Sequence, residues 1–500
     1  MKDANEGFKP RRRSFFQRAI AGGVMTGATL STLGAHMALA HGERHDRDDD
    51  DRDGDRRQRG RRSDYGDLRP TPDEDGNTYI ALPKDFRYVS FSKTGDAFGD
   101  GLRVASRHDG MAVFDGPGRT IRLIRNHEVT SLTAPFPVQG PAAKKYDAKG
   151  TGGCMTLDFD PHRKRLVRQF VSIAGTINNC SGGWSWGNRG WLTCEENTSG
   201  LAQGYEQPHG YAYLVPADAG SAVQAVPMKG LGRFSHEAAV ADSRGIIYLT
   251  EDAGNNSGFY RFVPNNPYNP LAGGSLQMLG ITGAPTASLI VGQQLGVRLP
   301  VTWVPVPVPD PALGTAGVMT CFQQGRAGGG AAFNRLEGLF RGEDGRSMYF
   351  VSTSGGTVKG PDGDGFGQLW HYVPGDGRYQ EEDQLVLVFE SSANKTLESP
   401  DNFCLSPNGG IVFCEDDAVG GTPDDTHPLA PGLEGINRMI GLGSKGEPFE
   451  LAVNVFSDSE FAGACFSHDG EILFVNIQGG DAPGEGMTLA IWGPWERGPL

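Results

Sequence analysis

A two-strand unit recurs along this chain, and each copy ends in residues able to hold a metal ion or a polar ligand. The clear copies run over 178–197, 235–252, 334–353, 399–417 and 460–478, with a weaker one over 110–128. In each, a short apolar run is reversed by a turn of Asn, Asp, Gly or Ser and answered by a second apolar run, which is the pattern of a β-hairpin. Because the chain reverses once per unit, the residues that open and close a unit lie at the same end of the hairpin. Cys180 opens and Glu195 closes one copy, and the pairs Glu237/Glu251, Glu337/Ser352 and Asp401/Glu415 do the same in the next three. The spacing barely drifts from copy to copy. A radial array of such hairpins carries these side chains to one mouth of a central channel, the geometry of a β-propeller.

The N-terminus reads as separate from that fold. Arg12-Arg13-Ser14-Phe15-Phe16 is a twin-arginine pattern; a mildly apolar stretch from Ala19 to Leu39 and the A-x-A site Ala38-Leu39-Ala40 complete an export signal over 1–40. Such signals carry folded proteins, so the twin-arginine export machinery is an expected partner and the periplasm or exterior the expected location. Residues 41–76 are dominated by Asp and Arg with almost nothing apolar, too little to offset chain entropy, and read as a disordered linker. The catalytic domain is expected over 77–500.

With 74 Gly, 32 Pro and no sustained 3.6-residue periodicity, that domain reads as all-β, with an insertion over 264–330 lying as a lid over the channel. Gly325 to Gly330 lacks the following Lys-Ser/Thr of a phosphate-binding P-loop. Gly355 to Gly367, with Asp362 and Asp364, reads as a flexible turn before a calcium loop. The net charge, 46 − 60 = −14, and the lack of a basic stripe interleaved with aromatics exclude nucleic acid as a partner. A monomer acting on a small molecule is expected. Of seven cysteines, Cys194, Cys404, Cys414 and Cys465 sit in apolar runs and read as buried thiols. Cys180 reads as lying in a polar turn, Asn178 to Gly183, which leaves open a thiolate ligand or nucleophile, or a surface or disulfide cysteine.

The mouth of the channel collects Glu128, Cys180, Glu195, Glu196, Glu237, Glu251, Asp252, Glu337, Asp401, Asn402, Glu415 and Asp416. So many carboxylates cannot all ionise side by side without cations between them. Hard cations with oxygen ligands resolve the conflict: calcium, magnesium, manganese or ferric iron. The scarcity of histidine pairs argues against zinc; His127, His209 and His236 stand singly beside unit ends. Arg335, two residues before Glu337 and on the same face of an extended segment, adds a guanidinium suited to phosphoryl oxygens. A calcium propeller with lactonase or phosphodiesterase-like chemistry, and a non-catalytic binding propeller, are the rival readings; neither requires both Cys180 and Arg335 at the mouth.

The motifs, taken in order, resemble a known family. They are NHE (126–128), NNC (178–180) followed by WLTCEEN (191–197), HEA (236–238), TED (250–252) followed by GFYRF (258–262), R-x-E (335–337), PDN (400–402) followed by ED (415–416), and CFSHDGEILFVNIQ (465–478). Together they resemble the PhoX family of secreted alkaline phosphatases over residues 77 to 495. The resemblance implies a six-bladed propeller whose channel holds two ferric irons and calcium ions and acts on phosphomonoesters. Carried over by motif, Cys180 would bridge the irons, and Glu237 and Glu337 would ligate them. Glu128, Glu195, Glu196, Glu251, Asp252, Asp401, Asn402, Glu415 and Asp416 would serve the irons or calcium, and Arg335 would contact phosphate.

Overall fold

The computed structural model describes residues 65–99, 101–357, 365–376, 382–394, 396–416, 437–443 and 446–500, and the backbone alone of 427–430 and 433–435. The export signal, most of the expected linker and the stretch holding Asp362 and Asp364 lie outside the described residues.

The sequence repeats become six antiparallel hairpins. Their first strands are β1 (His108–Asp115), β2 (Asn179–Trp184), β3 (His236–Ala241), β4 (Leu336–Arg341), β5 (Pro400–Leu405) and β6 (Phe461–Phe466). Each pairs with the strand that follows it, and further strands extend the sheets outward. The first strands touch in a closed order, β1 to β2 and on through β6, which returns to β1. Apolar side chains fill the space between successive sheets. Phe114 and Ile124 meet Trp191 and Tyr213; Leu192 and Cys194 meet Ala239 and Leu249; Val240 and Tyr248 meet Leu339 and Phe350. Tyr349 and Val351 meet Phe403 and Phe413, Cys404 and Val412 meet Leu473 and Val475, and Phe474 and Cys465 return to Met111 and Val113. Each sheet therefore has a core on both faces, and its strands read as nearly continuous apolar runs. All seven cysteines are free and buried.

The ends of the chain close the structure. The strand Arg87–Phe91 pairs with the C-terminal strand Met487–Trp492, from Arg87 opposite Trp492 to Phe91 opposite Thr488. Thr78–Pro83 joins the sheet of β5 through Ile80 and Ala81. Ordered structure begins earlier than expected: Leu68–Pro72, assigned to the linker, pairs with Thr78–Pro83, and Tyr65 packs edge-on against Phe86 and Trp495. The two prolines of Leu68–Pro72 are tolerated because this strand lies at a sheet edge.

The 264–330 insertion also differs from expectation. Its strands Gly274–Ile281 and Arg298–Pro305 lengthen the outer part of the β3 sheet, and the second of them pairs with Gln384–Glu390, joining the β3 and β4 sheets into one of nine strands. The helix Cys321–Ala327, capped by Thr320, packs on the first of these strands at Gly325, where an added Cβ would fall 2.1 Å from the Met278 sulfur. These elements form an outer edge because their apolar residues have sheet to cover.

The ring of first strands is tight enough to require glycine. A Cβ on Gly110 of β1 would stand 2.6 Å from the Ser181 Cα of β2, and one on Gly338 of β4 would stand 2.6 Å from the Asp401 carbonyl oxygen of β5. Both obstacles are backbone and cannot rotate away. Gly338→Val is therefore expected to lower unfolding free energy by about 3 kcal/mol through overpacking, read as a lower urea midpoint with unchanged slope; an unchanged midpoint would show that β4 and β5 can part.

Candidate metal centre

Each first strand carries one register shift near the same end. In β3, His236 faces Glu251 and Ala239 faces Leu249, so two residues, Glu237 and Ala238, oppose one. The same shift falls at Asp109 and Gly110, at Cys180 and Ser181, at Glu337 and Gly338, and at Asp401 and Asn402. In β6 it falls between Ala462 and Cys465. A bulge adds twist and re-aims a side chain. Asp109, Cys180, Glu237, Glu337 and Asp401 are all buried at these bulges. The residue just before each first strand uses its carbonyl to accept the N–H of the residue just past the second strand: Arg107 from Glu128, Asn178 from Glu196, Ser235 from Asp252, Arg335 from Thr353, Ser399 from Asp416 and Glu460 from Gln478, at 2.9–3.2 Å. Arg107, Asn178, Arg335 and Ser399 hold left-handed φ of 53°, 45°, 49° and 45°, a strain of roughly 1 kcal/mol or more each for residues other than glycine.

Successive bulges and closing residues overlap into a chain of ligand groups. Donor atoms of Asp109, Glu128 and Cys180 lie within 4.8 Å of one another, as do those of Cys180, Glu196 and Glu237, of Glu196, Asp252 and Glu337, and of Glu237, Glu337 and Asp401. Both carboxylate oxygens of Glu237 and one of Glu460 are buried without a hydrogen-bond partner. Burial first, then neighbouring carboxylates, pushes Glu196, Glu237 and Glu337 well above the usual range. The same two causes bring Asp401 to about 8 and Glu128 to about 7. Burial, with Asp109 and Glu237 beside it, raises the Cys180 thiol. Orphaned acceptor oxygens beside a buried thiol are what a set of bound cations would satisfy, so the residues present fit hard cations with one sulfur ligand. Arg335 is tied into the group, its Nε 3.1 Å from Asp252 Oδ2 and its Nη2 2.8 Å from Glu337 Oε1.

Four expected ligands are used elsewhere. Glu195 accepts from His209 Nδ1 at 2.6 Å and from the N–H groups of Ile177, Gly210 and Tyr211. Glu251 accepts from the Tyr260 hydroxyl and the Gly258 N–H. Glu415 takes both prongs of the buried Arg438 at 2.6 and 2.7 Å. The reason is strand alternation: Glu196, Asp252 and Asp416 follow these three and face the other way. Asn402 spends its side chain on the Asp401 carboxylate and the Gly463 N–H, so it orients Asp401. Cys180 lies in strand β2 and not in a turn. His236 stacks on Phe234 and bonds the Gly232 carbonyl, and burial lowers it to about 4; it and His127 and His209 lie outside the ligand groups.

Two residues were missed. Asp109 stands one position before the weak copy at 110–128, and His108-Asp109-Gly110 aligns with His236-Glu237-Ala238 once the copy is extended. Glu460 opens the last copy and faces Asp416, Asp401, Asp109 and Glu128, which with burial hold it well above its usual range. The signal in both cases was register within the repeat.

Alternation and repulsion each give a test. Glu415→Gln is expected to cost about 3 kcal/mol by neutralising the main partner of the buried Arg438, which keeps Glu450 at 3.2 Å, while the cation content of the folded fraction is unchanged. Asp416→Asn should leave the urea midpoint nearly unchanged and lower bound cation; equal metal contents in the two variants would refute the assignment of faces. In chelated protein, Glu128 and Asp401 hold protons up to about 7 and 8 when folded but release them near 4 when unfolded. The folded state then binds more protons across that window, so stability falls as pH rises from about 4 to about 8. Melting temperatures of chelated and calcium-loaded protein over this range check it, the slope flattening when cations are present.

A family model described as alkaline phosphatase PhoX matches residues 63–481. Among solved structures, the chain is similar to Pseudomonas fluorescens PhoX in complex with vanadate, a transition state analogue, at 17% identity over 87% of this chain and 98% of that one, with a TM-score of 0.60. It is more distantly similar to a periplasmic gluconolactonase of Pseudomonas aeruginosa, at 16% identity over 78% of this chain and 96% of that one, with a TM-score of 0.33. No curated protein matches the chain. The match to the family model spans most of the sequence and includes every bulge residue of the metal centre, and the chain belongs to the alkaline phosphatase PhoX family.

Proposed function

We propose that this chain is a metal-dependent phosphatase that hydrolyses phosphomonoesters outside the cytoplasm, using iron and calcium ions held at one mouth of a six-bladed propeller. The observation that carries the reading is the placement of Arg335 against the buried acid and thiol cluster, in a member of a phosphatase family. Six first strands in a closed order, with a core between each successive pair of sheets, support the six blades. The twin-arginine pattern at 12–16 supports export of the folded, loaded protein.

Cys180, Glu237 and Glu337 would hold the irons, and Asp109, Glu128, Glu196, Asp252, Asp401, Asp416 and Glu460 would complete the iron and calcium ligands. Bound ions would supply Lewis-acid polarisation of the phosphoryl group. The protein's own part is electrostatic and steric. Arg335 has Nε and Nη2 committed to Asp252 and Glu337, which fixes the guanidinium plane, and with its side chain 34% exposed the rest of the fork is open to phosphoryl oxygens. Asn178 donates to both Glu128 and Glu196, and Gln478 donates to Glu128 at 2.6 Å, so the outer carboxylates are held in place before any substrate arrives. Asn126 donates to the carbonyls of Cys180 and Ser181 at 3.0 and 2.7 Å and accepts from Trp191, fixing the bulge that presents the thiol. A calcium-only reading gives Cys180 and Arg335 no task.

Elemental analysis and visible absorption of the exported protein, with hydrolysis of p-nitrophenyl phosphate before and after chelation, test the proposal. Iron and calcium should be found together, with an absorption band and activity both lost in Cys180→Ser. Arg335→Ala should keep the metals and lose about a hundredfold in kcat/KM. Colourless protein with calcium alone and no ester hydrolysis would overturn the reading.

A further inference from the structure

The six positions just before the first strands are equivalent by backbone hydrogen bonding: Arg107, Asn178, Ser235, Arg335, Ser399 and Glu460. Two of them are cationic. The closed order of first strands puts Arg107 beside β1 and Arg335 beside β4, three steps apart in either direction, so the two stand across the mouth from each other. Both have the left-handed backbone, as does Asn178, whose side chain reaches the mouth carboxylates Glu128 and Glu196.

Arg107 differs from Arg335 in how little holds it. Its Nε lies 3.5 Å from Asp481 Oδ1, with the two side chains 40% and 37% exposed, a contact of little energetic weight. Its carbonyl accepts the Glu128 N–H at 2.9 Å, so the residue stands directly beside the ligand cluster. A phosphomonoester dianion presents three non-bridging oxygens, while Arg335 has already committed two of its nitrogens to carboxylates. One fork on one side leaves part of the anion facing a wall of acidic residues, where an unopposed charge is unfavourable.

We propose that Arg107 is a second phosphoryl-binding cation, gripping the substrate dianion from the side of the mouth opposite Arg335. The inference rests on the phosphatase reading above. It also sets a preference: a diester carries one charge fewer and has one oxygen blocked, so it offers Arg107 a poorer partner, and the grip selects monoesters.

The test uses metal-loaded protein and inorganic phosphate as the probe, with binding followed by calorimetry in wild type, Arg107→Ala, Arg107→Lys and Arg335→Ala. Arg107→Ala should weaken phosphate about tenfold or more and raise KM for p-nitrophenyl phosphate by a similar factor. Its KM for bis(p-nitrophenyl) phosphate, melting temperature and metal content should stay near wild type. Arg107→Lys should recover part of the loss, restoring charge without the fork. Phosphate affinity within about twofold of wild type in Arg107→Ala, with the affinity lost in Arg335→Ala, would overturn the role of Arg107 and leave the phosphatase reading standing. Loss of metal from Arg107→Ala would overturn it too, by showing that the residue acts through Glu128. Wild-type protein that neither binds phosphate nor cleaves the monoester would overturn both.

Discussion

Carboxylates buried against one another dominate the energetics of this protein. Glu237, Glu337 and Asp401 share one group at the ring axis, and Glu237 has no hydrogen bond to offset its loss of water. Such an arrangement is unfavourable in a bare polypeptide, whether the groups ionise and repel or stay protonated above their ordinary range. It persists because the scaffold around it is rigid: cores on both sides of each sheet, glycines where first strands touch backbone to backbone, and chain ends that pair to close the structure. At the mouth, four non-glycine residues also hold left-handed backbone. In the proposed function bound cations would relieve this repulsion as well as form new bonds.

The same local device builds the site five times. A bulge at the start of a first strand presents Asp109, Cys180, Glu237, Glu337 or Asp401 toward the ring axis, and in four of these five hairpins the residue just past the second strand adds an outer carboxylate, Glu128, Glu196, Asp252 or Asp416, where the Glu337 hairpin has Thr353. The sixth hairpin departs from this, placing small residues from Ala462 to Ala464 at its bulge and Glu460 further out. One alternation along each second strand then separates two tasks. Glu195, Glu251 and Glu415 point inward among their own hydrogen bonds and stabilise the hairpin ends, while Glu196, Asp252 and Asp416, one residue later, face the mouth. Adjacent acidic residues therefore serve packing in one case and line the mouth in the other.

Departure from sixfold likeness gives the mouth its direction. Equivalent positions carry arginine on β1 and β4, serine or asparagine on β2, β3 and β5, and glutamate on β6. Two cations set across an acidic ring produce a field that an anion can enter, which a uniform ring of carboxylates would not. Asn126 shows the complementary economy in packing: from the second strand of one hairpin it holds the bulge carbonyls of the next, so the Cys180 bulge is oriented by a neighbouring sheet.

The sequence by itself determined the hairpin repeat, the all-β class and the family, because alternation, turn residues and unit spacing are local properties that survive in one dimension. It also determined most of the buried acid and thiol cluster, including Cys180, Glu237, Glu337 and Asp401, since repeat position implies shared location. Tertiary structure decided which member of each acidic pair faces the mouth, because a bulge shifts register by one residue and no composition signal marks it. It decided that Leu68–Pro72 belongs to the fold and that the 264–330 insertion forms outer strands, because both depend on distant partners in the chain. Asp109, Glu460 and Arg107 came into view for the same reason: their significance lies in equivalence around a closed ring, and closure is a property that only the folded chain possesses.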